Sequence, residues 1–143
     1  MKLLKLWPLS ALISCMVQET PPIVSDDLRA VYTRVIAEFE TRGLDNPFRA
    51  GEWIIQTDNL PRNVYGYIEF DGNQIFIAIS KECPNPKLDF ETFAFIILLH
   101  ELGHWYGLEH DSCVIMDDPG TQKFYTWEWL GDDYLEEYFE LLV

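Results

Sequence analysis

Residues 100–110 read HELGHWYGLEH. An α-helix advances 3.6 residues per turn, so His100 and His104, four residues apart, project from one face and can bind the same ion. Gly107 predicts the end of that helix, because glycine readily adopts the left-handed conformation in which helices end. The chain can then turn and bring His110 back towards the first two histidines. The stretch therefore predicts a three-histidine metal centre at the end of a helix.

Three histidine ligands leave a zinc ion one open position for water, which is typical of a catalytic rather than a structural zinc site. Glu101 follows His100 directly and is the expected general base for that water. The chain has only three histidines, and all of them fall on the three ligand positions. We therefore expect one catalytic Zn²⁺, bound by His100, His104 and His110.

The stretch resembles the motif of the metzincin zinc metallopeptidases, H-E-x-x-H-x-x-G-x-x-H followed by a methionine turn, and all five specified positions match. In metzincins that methionine lies beneath the zinc ligands, a role that the resemblance assigns to Met116. Some members carry a tyrosine that reaches the metal two residues later, but this chain has Asp118 there. The resemblance implies an α+β fold, a minimal metzincin-like catalytic domain with a small mixed sheet, an N-terminal helix, a buried zinc helix, a Met-turn and a C-terminal helix.

The activity implied by the resemblance is that of a zinc-dependent endopeptidase, which hydrolyses peptide bonds through a zinc-activated water with Glu101 as general base. One alternative is a non-catalytic, zinc-stabilised binding lipoprotein, such as an adhesin or inhibitor; another is a metal-free interaction module. Glu101 argues against the first, because a structural site needs no base and normally fills its fourth position with a protein ligand. Tyr106 and Tyr125 are the nearest candidates for a second oxyanion donor, although such tyrosines are more often packing residues.

Composition narrows the class of partner. The 143 residues fit one domain, and the hydrophobic share of 48% is enough for a packed core. Ten basic and 24 acidic residues give a formal net charge of −14, which would repel a nucleic-acid backbone. We expect a monomer that acts on a protein or peptide substrate.

Calcium could bind acidic residues after the zinc motif, although no EF-hand order supports it; these residues are Asp111, Asp117, Asp118, Asp132 and Asp133.

The amino terminus has the charged, apolar and small-residue order of a secretory signal: Lys2 and Lys5 precede an apolar run over residues 6–13. The sequence Leu12-Ile13-Ser14-Cys15 resembles a bacterial lipobox, in which cleavage precedes a cysteine that receives lipid. This predicts a signal peptide over residues 1–14, a tether over 15–25 and a peptidase domain over 26–143. The protein is then an exported lipoprotein on the periplasmic or extracellular side, touching a membrane only through its lipid anchor. Soluble secretion and simple N-terminal disorder are the alternatives.

Two further cysteines flank the predicted metal site, Cys83 before the zinc helix and Cys113 after His110. In an oxidising compartment an even pair suggests a disulfide. Two buried free thiols are the alternative.

The rest of the chain predicts a helix, then strands, then two helices. Asp26 and Asp27 can cap the first helix and Gly43 can end it, Asp89 can cap the zinc helix, and Thr126 can begin the last helix. The expected elements are a helix over 26–42, a strand over 52–57, a hairpin of 64–70 and 74–80 around Asp71-Gly72, a helix from 90 through the zinc motif and a helix over 126–141.

Metzincins bind an extended peptide along an exposed sheet edge, by strand addition. Residues 74–80 are our candidate for that edge, and an ordinary hairpin strand is the alternative.

Overall fold

The computed structural model describes residues 21–117 and 132–143. They form a mixed four-stranded sheet and three α-helices, so the predicted α+β class is confirmed. The elements are β1 (Ile23–Val24), α1 (Arg29–Thr41), β2 (Trp53–Thr57), β3 (Gly66–Asp71), β4 (Gln74–Ser80), α2 (Phe90–Trp105) and α3 (Asp132–Leu142), with 3-10 turns at Asp26–Leu28 and Val114–Met116.

The strand order is β1-β2-β4-β3, with β1, β2 and β4 parallel and β3 antiparallel to β4. The prediction that residues 74–80 form the exposed edge is wrong, because β4 lies between β2 and β3. The composition of the two hairpin strands explains the order. In β4 a nearly continuous apolar run is buried, as expected for an inner strand, whereas β3 carries Glu69 and Asp71 and alternates in exposure, as edge strands do.

The strand at the opposite edge of the sheet, β1, lies within residues 15–25, which the sequence predicted to be a tether. Ile23 and Val24 pair in parallel with Trp53 and Ile54 of β2, and the amide of Ile23 donates to the carbonyl of Glu52 at 2.7 Å. A strand of two residues is too short for an alternating pattern to show in the sequence. The chain therefore joins the sheet before the first helix begins.

The first helix ends as predicted but begins differently. Gly43 has φ +71°, and the amides of Gly43 and Leu44 donate to carbonyls of the last helical turn, as in a Schellman motif. The prediction that Asp26 and Asp27 cap it is wrong, because both lie inside a 3-10 turn that precedes α1. The Asp26 carboxylate instead accepts a hydrogen bond from Nε of Arg29 at 2.9 Å.

Helix α2 runs through the middle of the domain, packed between α1 and the strands β3 and β4. Its residues from Phe93 to Gly103 are all buried, so the expectation of a buried helix is confirmed. Asp89 caps it as predicted, accepting a hydrogen bond from the Thr92 amide at 2.9 Å. Burial of each large apolar side chain contributes about 1.5–3 kcal/mol, and the last helical turn is therefore held on a rigid support.

The C-terminal helix α3 buries Leu135, Tyr138 and Phe139. The hydroxyl of Tyr138 donates to the carbonyl of Leu99 in α2 at 2.6 Å, which joins the two helices. The predicted start of this helix at Thr126 lies outside the described residues. None of the helices in the described part of the chain is both long and apolar enough to cross a bilayer.

Candidate metal centre

The three predicted ligands meet at the end of α2. Nε2 of His104 lies 3.2 Å from Nε2 of His100 and 3.1 Å from Nε2 of His110, and the three ligand atoms all lie within 4.8 Å of one another. With Zn–N bonds of ~2.0–2.1 Å, tetrahedral geometry separates two ligand nitrogens by roughly 3.3–3.4 Å. Two of the three spacings are close to that value, and the three histidines lie close enough to hold one metal ion.

Backbone carbonyls orient two of the imidazoles. Nδ1 of His100 lies 2.9 Å from the carbonyl oxygen of Ile115, and Nδ1 of His104 lies 2.9 Å from that of Leu108. A carbonyl oxygen can only accept, so Nδ1 carries the proton and the lone pair of Nε2 faces the shared space. Burial also lowers the pKa of His104. The hydrogen bonds set the tautomer in which Nε2 can bind a metal ion, and burial favours the neutral form of His104 that such binding requires.

The turn after α2 supplies one of these carbonyls. Gly107 has φ +89°, its amide donates to the carbonyl of His104 at 3.0 Å, and the Leu108 amide donates to that of Gly103 at 2.8 Å. This is a Schellman motif with glycine at the left-handed position, so the predicted role of Gly107 is confirmed. The same turn directs the Leu108 carbonyl at His104 and returns the chain towards His110.

The predicted Met-turn is a 3-10 turn over Val114–Met116. Met116 is fully buried and lies against α2 at Gly103, where an added Cβ would overlap its Sδ. The turn is closed by the Asp111 amide, which donates to the Met116 carbonyl at 3.1 Å. Because the neighbouring Ile115 carbonyl accepts from His100, this turn supports the ligands through both packing and hydrogen bonding.

Glu101 faces the same space as the histidines. It is only 5% exposed, and burial raises the pKa of its carboxyl group to about 8. Within residues 21–117 and 132–143, no hydrogen bond or ion pair holds this carboxylate. It lines a cavity of about 330 Å³, whose other walls are the three histidines and the chain from Asn63 to Ile68.

One residue of that wall, Gly66, is not among the site residues that the sequence predicted. Glycine inside a predicted strand signals a close approach of the backbone to another group, and this signal was present in the sequence. Tyr106, a candidate oxyanion donor, instead lines a separate cavity beside Arg49 and Trp105. The other candidate, Tyr125, lies outside the described residues.

The cysteines do not form the predicted bridge. Cys83 and Cys113 are both free, so the disulfide prediction is wrong for this structure and the alternative of two thiols applies. The two lie at different ends of α2. Sγ of Cys83 contacts the carbonyl of Asn85 at 3.2 Å, just before the helix begins, whereas Cys113 precedes the turn that packs on the last helical turns. Cys15, the predicted lipidation site, is outside the described residues.

The structure brings together no calcium site from the predicted acidic residues that it describes. Among residues 21–117 and 132–143, the three histidines are the only group of three side chains placed to hold one ion. Asp118 lies outside this part of the chain.

No protein-family model matches this chain, and no curated protein or solved structure is significantly similar to it.

Proposed function

We propose that this protein is a zinc-dependent endopeptidase of the metzincin type. The observation that carries the proposal is the convergence of three histidines, whose possible ligand atoms all lie within 4.8 Å of one another, in a cavity that is also lined by Glu101. A structural zinc site normally fills its fourth position with a protein ligand. The three histidines line a cavity of about 330 Å³, which would leave room for water and a substrate carbonyl.

Bound by these histidines, a zinc ion would supply a Lewis acid for the scissile carbonyl and lower the pKa of water towards neutrality. Glu101 would take a proton from the attacking water at a carboxylate oxygen as the water oxygen bonds to the carbonyl carbon. As the carbon–nitrogen bond breaks, the same carboxyl group returns that proton to the leaving amine. The products are a new carboxylate and a new amine.

The carboxyl group must be ionised to act as a base. Burial raises its pKa, while a cation held beside it favours the charged form. Glu101 would therefore be more readily ionised near neutral pH with a cation held by the three histidines.

Strand β3 is the best support for substrate binding. Within the described residues it pairs only with β4, so its other edge is open. It also contributes Gly66, Tyr67 and Ile68 to the wall of the histidine cavity. An extended peptide that paired with this edge by strand addition, in either direction, would pass across the cavity.

The test is peptide hydrolysis measured together with zinc content. Purified protein is dialysed, its zinc is determined by elemental analysis, and cleavage of a peptide library is followed with and without chelator. We expect about one zinc per chain and cleavage that chelator abolishes and added zinc restores. Cleavage that persists in metal-free protein would refute the proposal, and full zinc occupancy without any cleavage would favour the zinc-stabilised binding protein.

A further inference from the structure

Gly66 is the first residue of β3 and pairs with Ile79 of β4. Four glycines in the described residues have positive φ, and Gly66 is not among them, so its backbone conformation is open to any residue. Glycine also weakens a strand, because it has no side chain to pack and loses more entropy on folding. The presence of glycine here therefore needs a reason other than backbone geometry.

The reason is the space above Glu101. An ideal Cβ built on Gly66 would overlap Oε1 of Glu101 and Cγ2 of Ile97. The carboxylate thus occupies the volume that a side chain at position 66 would fill. The carboxylate therefore lies against the β3 backbone at Gly66, and no hydrogen bond within the described residues holds it there.

We propose that Gly66 is a positioning residue for Glu101. With no side chain, it allows β3 to lie directly over the carboxylate and keeps the carboxylate directed into the histidine cavity. A methyl group there would either displace the carboxylate or lift the strand from α2. The inference rests on the proposed peptidase function and names a residue that the motif does not contain.

The kinetic test is Gly66→Ala. We expect kcat to fall by about 10²-fold, because a displacement of about 1 Å in a reacting group has an effect of this size. Zinc content should stay near one per chain, because Gly66 supplies no ligand atom, and KM should change less than kcat, because the overlapping group is Glu101 and not the bound peptide. The matched control is Gly43→Ala. That residue has φ +71° and no atom within 4 Å of an added Cβ, so the control should lose stability through backbone strain but keep its kcat.

A double-mutant cycle in urea unfolding tests the contact itself. The four proteins are wild type, Gly66→Ala, Glu101→Ala and the double variant. If the added methyl group competes with the carboxylate, Gly66→Ala should destabilise the wild type much more than it destabilises Glu101→Ala. A second cycle uses Ile97→Ala. In the opposite case, Gly66→Ala destabilises Glu101→Ala as much as it destabilises the wild type, but has no effect in the Ile97→Ala protein. That result would assign Gly66 to core packing and overturn the inference.

The outcomes separate the two proposals. If Gly66→Ala does not fold, recovery of folding in the Gly66→Ala/Glu101→Ala double variant supports the inference, and failure of both refutes it. If the wild type is active and Gly66→Ala has the same kcat, the inference is overturned and the peptidase proposal stands. An inactive, zinc-loaded wild type refutes the peptidase, while the stability cycle still decides whether Gly66 sets the position of Glu101.

Discussion

Glu101 is the residue whose loss separates a catalytic centre from a structural one. For Glu101→Ala we expect hydrolysis to fall by roughly 10²–10⁴-fold, the usual contribution of a general base. Zinc content should stay near one per chain, because the three histidines are intact. For His104→Ala we expect both metal and activity to be lost, since two remaining ligands hold zinc poorly. Elemental analysis and rate measurements on the same preparations check both variants.

Glu109→Ala is the matched control, because that carboxylate is exposed and lies after the end of α2, next to His110. It should keep both zinc and rate. Full activity in zinc-loaded Glu101→Ala would contradict the proposed mechanism.

The buried carboxyl group of Glu101 also predicts how the metal-free protein responds to pH. Its pKa is raised by burial from 4.5 to about 8, so between these values the folded state retains a proton that the unfolded state has released. The stability linked to this group is therefore complete at low pH and is lost as pH rises towards 8, by an amount on the order of a few kcal/mol. Urea midpoints of chelated wild type and Glu101→Gln at pH 5 and pH 8 measure it.

Glu101→Gln should remove this component of the pH dependence, because the amide does not titrate. Zinc should reduce it in the wild type, since a nearby cation favours the carboxylate. Equal loss of stability in the two metal-free proteins would show that other groups cause the dependence.

At the scale of single residues, predictions from sequence succeeded where the geometry is local. His100, His104 and Gly107 lie within two turns of one helix and its end, so their spacing alone predicts which atoms meet. Gly66 lies 35 positions before Glu101 in the sequence. Their contact depends on how β3 packs against α2, which the local sequence pattern does not predict. For the same reason the spacing of Cys83 and Cys113 suggested a bridge that the packing of α2 does not bring together.

At the scale of elements, the open edge of β3 makes a prediction about its amides. The Ser80 amide donates to the Tyr65 carbonyl at 2.8 Å, and antiparallel pairs alternate in direction, so Tyr67 and Glu69 face β4 whereas Ile68 and Phe70 face the open edge. Amide hydrogen exchange, followed by NMR, should therefore be fast at Ile68 and Phe70 in the free protein. Both amides should become protected when a peptide binds to zinc-loaded Glu101→Ala, which cannot cleave it.

The amides of Tyr67 and Glu69 are the internal control, because they are already bonded within the sheet. New protection confined to β1, on the other edge, would contradict strand addition at β3.

The elements differ in how far the sequence determines them. The long apolar run and the Asp89 cap specify α2 locally, and both hairpin strands follow from their alternation. The order of those strands in the sheet depends on which of them packs beside β2, a long-range choice that alternation does not encode. The apolar character of β4 and the charges of β3 indicate which strand is inner and which lies at the edge. These features determine the order of the two strands in the sheet, although β3 comes before β4 in the chain.

At the scale of the whole molecule, composition and structure describe an acidic α+β domain whose central helix carries two of the three clustered histidines. Polar and charged groups are scarce in its core. Glu101 and His100 are two of the five buried polar or charged side chains in the described residues, with Glu52, Ser80 and Asn85. Burial of ionisable groups is costly unless they are paired or serve a site. Their concentration at the end of α2 is the feature of the whole fold that sets this region apart.

The sequence also predicts where the molecule resides. Because Leu12-Ile13-Ser14-Cys15 resembles a lipobox behind a charged and apolar leader, we expect Cys15 to carry lipid when the full chain is expressed in a bacterial host. Metabolic labelling with a fatty acid should mark the wild type and leave Cys15→Ser unlabelled. Cys83→Ser is the matched control, since it also removes one thiol but leaves the leader intact, and it should be labelled like the wild type. Equal labelling of wild type and Cys15→Ser would exclude the lipid anchor and favour soluble secretion, while the proposed peptidase activity, which depends on residues 66–116, would be unaffected.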